Sequence, residues 1–131
     1  MRIGLYLAMA AGIATAGANG GGGSLQPVSF EADVQPILDG NCVTCHQSSG
    51  APQGLVLEDS KSWENLVHGR SAESKLPLVA PGRPDESYLL HKLDGTQATT
   101  GSGAQMPPGD PLAPDKVAIV RRWIAAGAPN N

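Results

Sequence analysis

Apolar residues recur at helical intervals in four stretches of the chain, and no stretch shows the sustained alternation of a half-buried strand. The first stretch begins at Phe30. There Phe30, Val34, Ile37 and Leu38 share one helical face, with Asp33, Gln35 and Asp39 mostly off it. Pro36 interrupts this pattern: either the helix begins late, with Pro36 in its first turn, or it kinks there. Gly40-Asn41 reads as its stop. A short helix through Trp63, Leu66 and Val67 has Ser60 or Ser62 as its cap and ends at Gly69. Pro81-Gly82 turns the chain into a second short helix from Asp85 to Leu93, closed by Gly95. The clearest pattern comes last. Pro114 suits a first turn and Asp115 the positive end of the helix dipole, while Val117, Ile119, Val120, Trp123 and Ile124 fill one sector until Gly127. Residues 47–58 and 94–111 are Gly- and Pro-containing segments without periodicity, and a loop as long as the second is usually functional or disordered. The predicted fold class is therefore all-α, with short helices and long loops.

Two N-terminal segments stand apart from this domain. Met1-Arg2, the apolar run from Ile3 to Ala16 and the small residues Ala16-Gly17-Ala18 form the three-part pattern of a secretory signal peptide over residues 1–18. The alternative, an uncleaved anchor, needs roughly 20 apolar residues, and this run is shorter and broken by glycine. No cysteine near the junction offers a lipid-anchoring site. Residues 19–27, with Gly20-Gly21-Gly22-Gly23-Ser24, form a flexible linker by composition, which leaves 28–129 as the domain. The expected location is periplasmic or extracellular, with no membrane span after cleavage.

Removing residues 1–18 takes away Arg2 and leaves 8 basic against 12 acidic residues, a net charge of −4. Such a balance argues against nucleic acid, which selects basic faces, and it suits partners with a basic patch. The domain keeps four aromatic residues, Phe30, Trp63, Tyr88 and Trp123, and is rich in Gly and Pro. A domain of this size is marginal in buried area, so an added apolar group, such as a flat macrocycle, is expected in its core.

Both cysteines lie in Cys42-Val43-Thr44-Cys45-His46. Cysteines at i and i+3 on a helical turn can reach two vinyl groups on adjacent pyrroles as thioethers, and the following histidine can then meet the iron. This spacing reads as covalent attachment of one haem c, with His46 as an iron ligand. Three other readings compete. A thioredoxin-like pair needs a βαβ frame, which the pattern lacks. A structural zinc needs a second pair of ligands at metal spacing, and His68 and His91 are 23 residues apart. A short-loop disulfide leaves His46 unexplained.

The second axial ligand has three candidates. Met106 is the one methionine beyond the leader and sits in Gln105-Met106-Pro107-Pro108-Gly109, where stiff prolines could hold a thioether against iron. Its other reading is core filling. His68 and His91 are the alternatives, and an exposed helical position is the plain reading of His91. An open site is the last possibility.

A helix, Cys-x-x-Cys-His, loops with short helices, a Met-Pro loop and a helix ending in Trp-Ile-x-x-Gly-Ala together resemble the class I cytochrome c family. The resemblance covers roughly residues 28–129. Phe30-Glu31-Ala32-Asp33-Val34-Gln35-Pro36-Ile37-Leu38, Pro81-Gly82-Arg83-Pro84-Asp85-Glu86-Ser87 and Met106-Pro107-Pro108-Gly109 are similar to bacterial monohaem cytochrome c domains often found on larger proteins. It implies the cytochrome c fold, with the first and last helices crossing near Phe30, Val34, Ile119 and Trp123. It also implies thioethers at Cys42 and Cys45, His46 as proximal and Met106 as distal ligand, and a proline carbonyl, nearest at Pro52, accepting the proximal imidazole N–H.

The function this predicts is single-electron transfer between redox partner proteins, without catalysis, because iron with two protein ligands has no open position for substrate. Two further classes remain open. A haem enzyme or gas-binding protein would need a free or labile distal site with polar groups such as His68 or Arg83 over it. A structural or assembly subunit would use haem mainly as core, either docked on a larger oxidoreductase or self-assembled. Arg70 and Arg83 are candidates for contact with the haem propionates, and Trp63 for a hydrogen bond there, each with an ordinary surface or core role as its alternative. Residues 96–104 form a polar approach to Met106 that reads as a mobile stretch or an interface.

Overall fold

The computed structural model describes residues 26–131. The leader assigned to 1–18 and most of the linker assigned to 19–27 lie outside the described residues. Four α-helices form: α1 (Gln35–Asn41), α2 (Ser62–Val67), α3 (Tyr88–Asp94) and α4 (Pro114–Ala125), joined by long loops with single 3₁₀ turns. Among the described residues extended pairing is limited to two isolated bridges, Arg70 with Pro77 and Ser74 with Gly101. No helix among them is long and apolar enough to cross a membrane.

Pro36 resolves its own ambiguity. Residues Phe30–Val34 make a π turn, closed by the Gln35 N–H on the Phe30 carbonyl, and α1 then starts with Pro36 in its first turn. A proline inside an α-helix cannot donate and presses on the carbonyl four residues back; a wider preceding turn removes that conflict. Ser29 caps the turn through the Ala32 N–H. Gln35, expected off the apolar face, is instead buried. Its side chain donates to Asp39 Oδ1 at 2.8 Å and accepts the Ser62 hydroxyl, which joins α1 to α2. With that hydroxyl engaged, Ser62 sits inside α2 and caps nothing, and Lys61 occupies the N-cap position without a side-chain bond.

The helix expected from Asp85 to Leu93 divides into a 3₁₀ turn (Pro84–Glu86) and α3. The break is at Ser87, fully buried and extended, whose hydroxyl accepts the Ala80 N–H at 2.9 Å and donates to the Arg83 carbonyl at 3.0 Å. Gly95 closes α3 at φ +76°, as its position predicts. A Cβ there would stand 2.9 Å from the Gln105 side chain, which donates to the Leu93 carbonyl.

The first and last elements meet. The Phe30 and Trp123 rings lie 5.0 Å apart, and the Glu31 N–H and Ser29 hydroxyl both donate to the C-terminal Asn131 carbonyl. Trp123 is wholly buried and its indole N–H reaches the Pro129 carbonyl at 2.9 Å. Around this contact Val34, Leu66, Leu90, Val120 and Ile124 form the core. Trp123→Ala is expected to cost about 3–5 kcal/mol, because the cavity left between α4 and the π turn cannot collapse. A loss below about 1 kcal/mol in chemical denaturation of the purified protein would show that this contact does not hold the ends together.

Candidate functional site

The Cys-x-x-Cys-His sequence continues the last turn of α1. The Cys42 N–H bonds the Leu38 carbonyl at 2.8 Å, and the Cys42 carbonyl accepts from both Cys45 and His46. The two thiols therefore sit one turn apart on a continuous curve of backbone. Both are free, Cys42 half-buried and Cys45 exposed. Burial pushes the Cys42 thiol up to about 11. A thiol so shifted is not an activated nucleophile, and the βαβ frame that a thioredoxin-like pair needs is missing among the described residues, which form four helices and two isolated bridges. The zinc reading fares no better: among the described residues no group of three or more His, Cys, Asp and Glu side chains converges.

His46 is fixed from both sides. Its carbonyl accepts the Leu57 N–H at 2.8 Å, and its Nδ1 lies 2.8 Å from the Leu55 carbonyl oxygen. A carbonyl can only accept, so Nδ1 carries a proton, and in the neutral ring Nε2 keeps its lone pair. This is the tautomer and orientation that an imidazole metal ligand needs. The acceptor is thus Leu55, not Pro52 as the family resemblance implies. The Pro52 carbonyl already accepts the Leu55 N–H across a 3₁₀ turn, in which Gln53 adopts φ +55°, and the chain leaves that turn with the Leu55 carbonyl on His46. Downstream, the Ser48 hydroxyl and main-chain N–H both donate to Glu58, which holds its carboxyl below the usual range.

Cys42, Cys45 and His46 open onto a cavity of about 460 Å³, whose walls also include Ile37 and Leu38 of α1, Leu78, Leu89, Leu112, Val120 of α4, and Met106 with Pro107 and Pro108. Its size lies in the range of a site for one bound organic ligand. Met106 and His46, 60 positions apart, line the same cavity. The histidine alternatives do not. The imidazole of His68 is exposed, edge-on to Trp63 at 5.3 Å and 3.9 Å from the Glu64 carboxylate. His91 has both nitrogens engaged, Nδ1 with the Thr96 hydroxyl at 2.8 Å and Nε2 with the Asp85 carbonyl at 3.0 Å.

Of the polar candidates, Arg70 lines the cavity while Arg83 and Trp63 do not. Arg83 pairs with Glu86 on the surface at 2.7 Å, and the Trp63 indole donates to the Ala128 carbonyl at 3.0 Å. Two charged wall residues were not signalled by the sequence. Lys92 and Glu73 form an ion pair at 2.6 Å with both side chains largely buried, and nothing local in the chain links positions 19 residues apart.

The approach to Met106 is tied down along its length. The Ser74 hydroxyl donates to the Thr100 carbonyl at 2.6 Å, the Ser102 N–H to the Glu73 carbonyl at 3.0 Å, the Tyr88 hydroxyl to the Ser102 carbonyl, and the Met106 N–H to the Lys92 carbonyl at 2.8 Å. Residues 96–104, expected as a mobile stretch or an interface, are thus hydrogen-bonded to Glu73, Ser74 and Tyr88.

No protein-family model matches the sequence, and no curated protein matches it significantly. Among solved structures, Kuenenia stuttgartiensis hydrazine synthase is similar over 77% of this chain, with a TM-score of 0.53 and 23% identity. This chain spans 16% of that one's length. At such identity the likeness is one of fold: this helical domain has a counterpart within a much longer chain.

Proposed function

We propose that this chain is an exported c-type cytochrome domain of class I, in which Cys42 and Cys45 attach one haem, His46 and Met106 ligate its iron, and single electrons pass between redox partners. The observation that carries this reading is the convergence of the thiol pair, the Leu55-oriented His46 and Met106 on one largely apolar cavity. The donor set suits the group: two thiols for vinyl addition, an imidazole with a free Nε2, a thioether, and apolar walls for the macrocycle. When bound, haem iron supplies a one-electron couple between its ferric and ferrous states. The protein's part is to exclude water from that couple, hold His46 in one tautomer and keep Met106 in place through a braced loop. A site held on both sides in this way changes oxidation state with little rearrangement.

The alternative of a haem enzyme or gas-binding protein requires an open distal position. Met106 on the cavity wall weighs against it, as do His68 and His91 outside. A modular role, docked on or built into a larger oxidoreductase, draws support from the fold counterpart that forms 16% of a longer chain. Export would place the cysteines where covalent haem attachment occurs, and the 1–18 leader supports it.

The test is the oxidised and reduced visible spectrum of protein exported alongside a c-haem maturation system. Haem retained through denaturation, a sharp low-spin reduced spectrum and a weak long-wavelength sulfur-to-iron band when oxidised are expected. A low-spin spectrum without that band would overturn Met106 as ligand. Rapid binding of carbon monoxide to a high-spin iron would favour gas binding or catalysis, and no bound haem would sink the proposal.

A further inference from the structure

The cavity wall carries an ion pair whose burial calls for a reason. Lys92 on α3 and Glu73 on the preceding loop meet at 2.6 Å, with side chains only 11% and 19% exposed. Burying two charges costs several kcal/mol each, and apolar residues of similar size often do as well or better for stability. A pair kept at such a place is better explained by the geometry it imposes.

That geometry concerns Met106. The main chain of each partner supports the Met106 loop at a different point: the Lys92 carbonyl accepts the Met106 N–H at 2.8 Å, and the Glu73 carbonyl accepts the Ser102 N–H at 3.0 Å. The loop from 102 to 106 is therefore slung between two supports that belong to separate segments, and the Lys92–Glu73 bond fixes the separation of those supports. Tyr88 strengthens the frame, since its ring lies 5.9 Å below the Lys92 ammonium and its hydroxyl donates to the Ser102 carbonyl. Space is tight around the carboxylate as well. A Cβ at Gly103, which holds φ +80°, would come within 2.3 Å of Glu73 Oε1.

We infer that Lys92 and Glu73 are positioning residues, a buried ionic clamp that holds the Met106 loop against the cavity and sets how firmly Met106 resists displacement from iron. This rests on Met106 being the distal ligand, as proposed above.

The experiment uses the haem-loaded protein and titrates imidazole into its ferric form, with chemical denaturation run in parallel. The paired variant Lys92→Met with Glu73→Met removes the clamp without leaving a lone buried charge. Glu73→Gln, which keeps a side-chain oxygen on Lys92, serves as the gentler second variant. The clamp predicts that the paired variant binds imidazole about tenfold more tightly than wild type while its denaturation midpoint stays close, with Glu73→Gln in between. Faster hydrogen exchange at the Met106 and Ser102 amides should accompany this. Imidazole affinity unchanged in both variants would overturn the clamp. So would a tightening matched by an equal loss of global stability, since a purely structural pair behaves that way. If the paired variant fails to fold, Glu73→Gln decides on imidazole affinity and on exchange at the Met106 and Ser102 amides, since its unpaired Lys92 charge lowers global stability in either case. Wild-type protein lacking the sulfur-to-iron band would sink the Met106 assignment itself, whereas a normal band with unaltered variants sinks only the clamp.

Discussion

Replacing Cys42 and Cys45 together with serine is expected to abolish haem retained through denaturation and to leave a chain with little cooperative structure. The first effect follows from chemistry: serine hydroxyls do not form the thioethers that would hold the group. The second follows from burial. An apolar cavity of about 460 Å³ left without its occupant keeps its Leu and Val walls in contact with water, and burying one such side chain is worth about 1.5–3 kcal/mol. A small domain has only about 5–15 kcal/mol of total stability, so the cavity's occupant is as important to folding as the core. The remaining core cannot offset that loss, because Phe30, Trp123 and their neighbours already pack against one another between the π turn and α4. Haem staining after denaturing electrophoresis reads the first effect, and the far-ultraviolet helical signal on heating reads the second. The single variants should each keep one link and fall between. A double variant that still carries haem through denaturation would show that attachment does not run through these thiols. A double variant that melts cooperatively near the wild-type midpoint would show that the cavity needs no filler.

The residues that bear the proposed chemistry were legible because their chemistry is local. Two cysteines one turn apart with an adjacent histidine, and a methionine followed by two prolines, stand out in a chain with few alternatives. The final helix was legible for a related reason: a twelve-residue periodic run between Pro114 and Gly127 leaves little else for tertiary contacts to decide. What escaped the sequence depends on partners distant along the chain. Gln35 reads as a surface residue until Ser62, Asp39 and Leu57 supply its hydrogen bonds. Leu55 matters through its carbonyl, an atom every residue has, and it meets His46 only because Gln53 takes a left-handed conformation two residues earlier. Lys92 looks like an exposed helical lysine until Glu73 is folded against it. The division of the 85–94 region is of the same kind. Ser87 breaks the helix because its hydroxyl serves Ala80 and Arg83, and no propensity scale records that.

Met106→His is expected to give a low-spin haem whose reduction potential falls by about 0.2 V, a quarter of the roughly 0.8 V that axial ligands span. For one electron that is ~5 kcal/mol. The direction follows from the donor atoms. A thioether is a neutral, weak donor that favours ferrous iron, whereas imidazole donates more strongly and stabilises the ferric state. The loop can present the new side chain, because the Met106 N–H is anchored on the Lys92 carbonyl and Gln105 on the Leu93 carbonyl, bonds that the substitution leaves alone. Met106→Ala is the companion. It removes the ligand without replacing it, so the iron should become high-spin in its reduced form and bind carbon monoxide rapidly. Neither remaining histidine is placed to step in: His68 stands outside the cavity against Trp63, and His91, also outside its lining, has both nitrogens engaged by Thr96 and Asp85. Spectroelectrochemical titration of the two variants beside wild type reads both effects. A potential unchanged in Met106→His would mean that this sulfur never bound the iron. The electron-transfer proposal would then lose the ligand that closes the distal site, and the open-site alternatives would take its place.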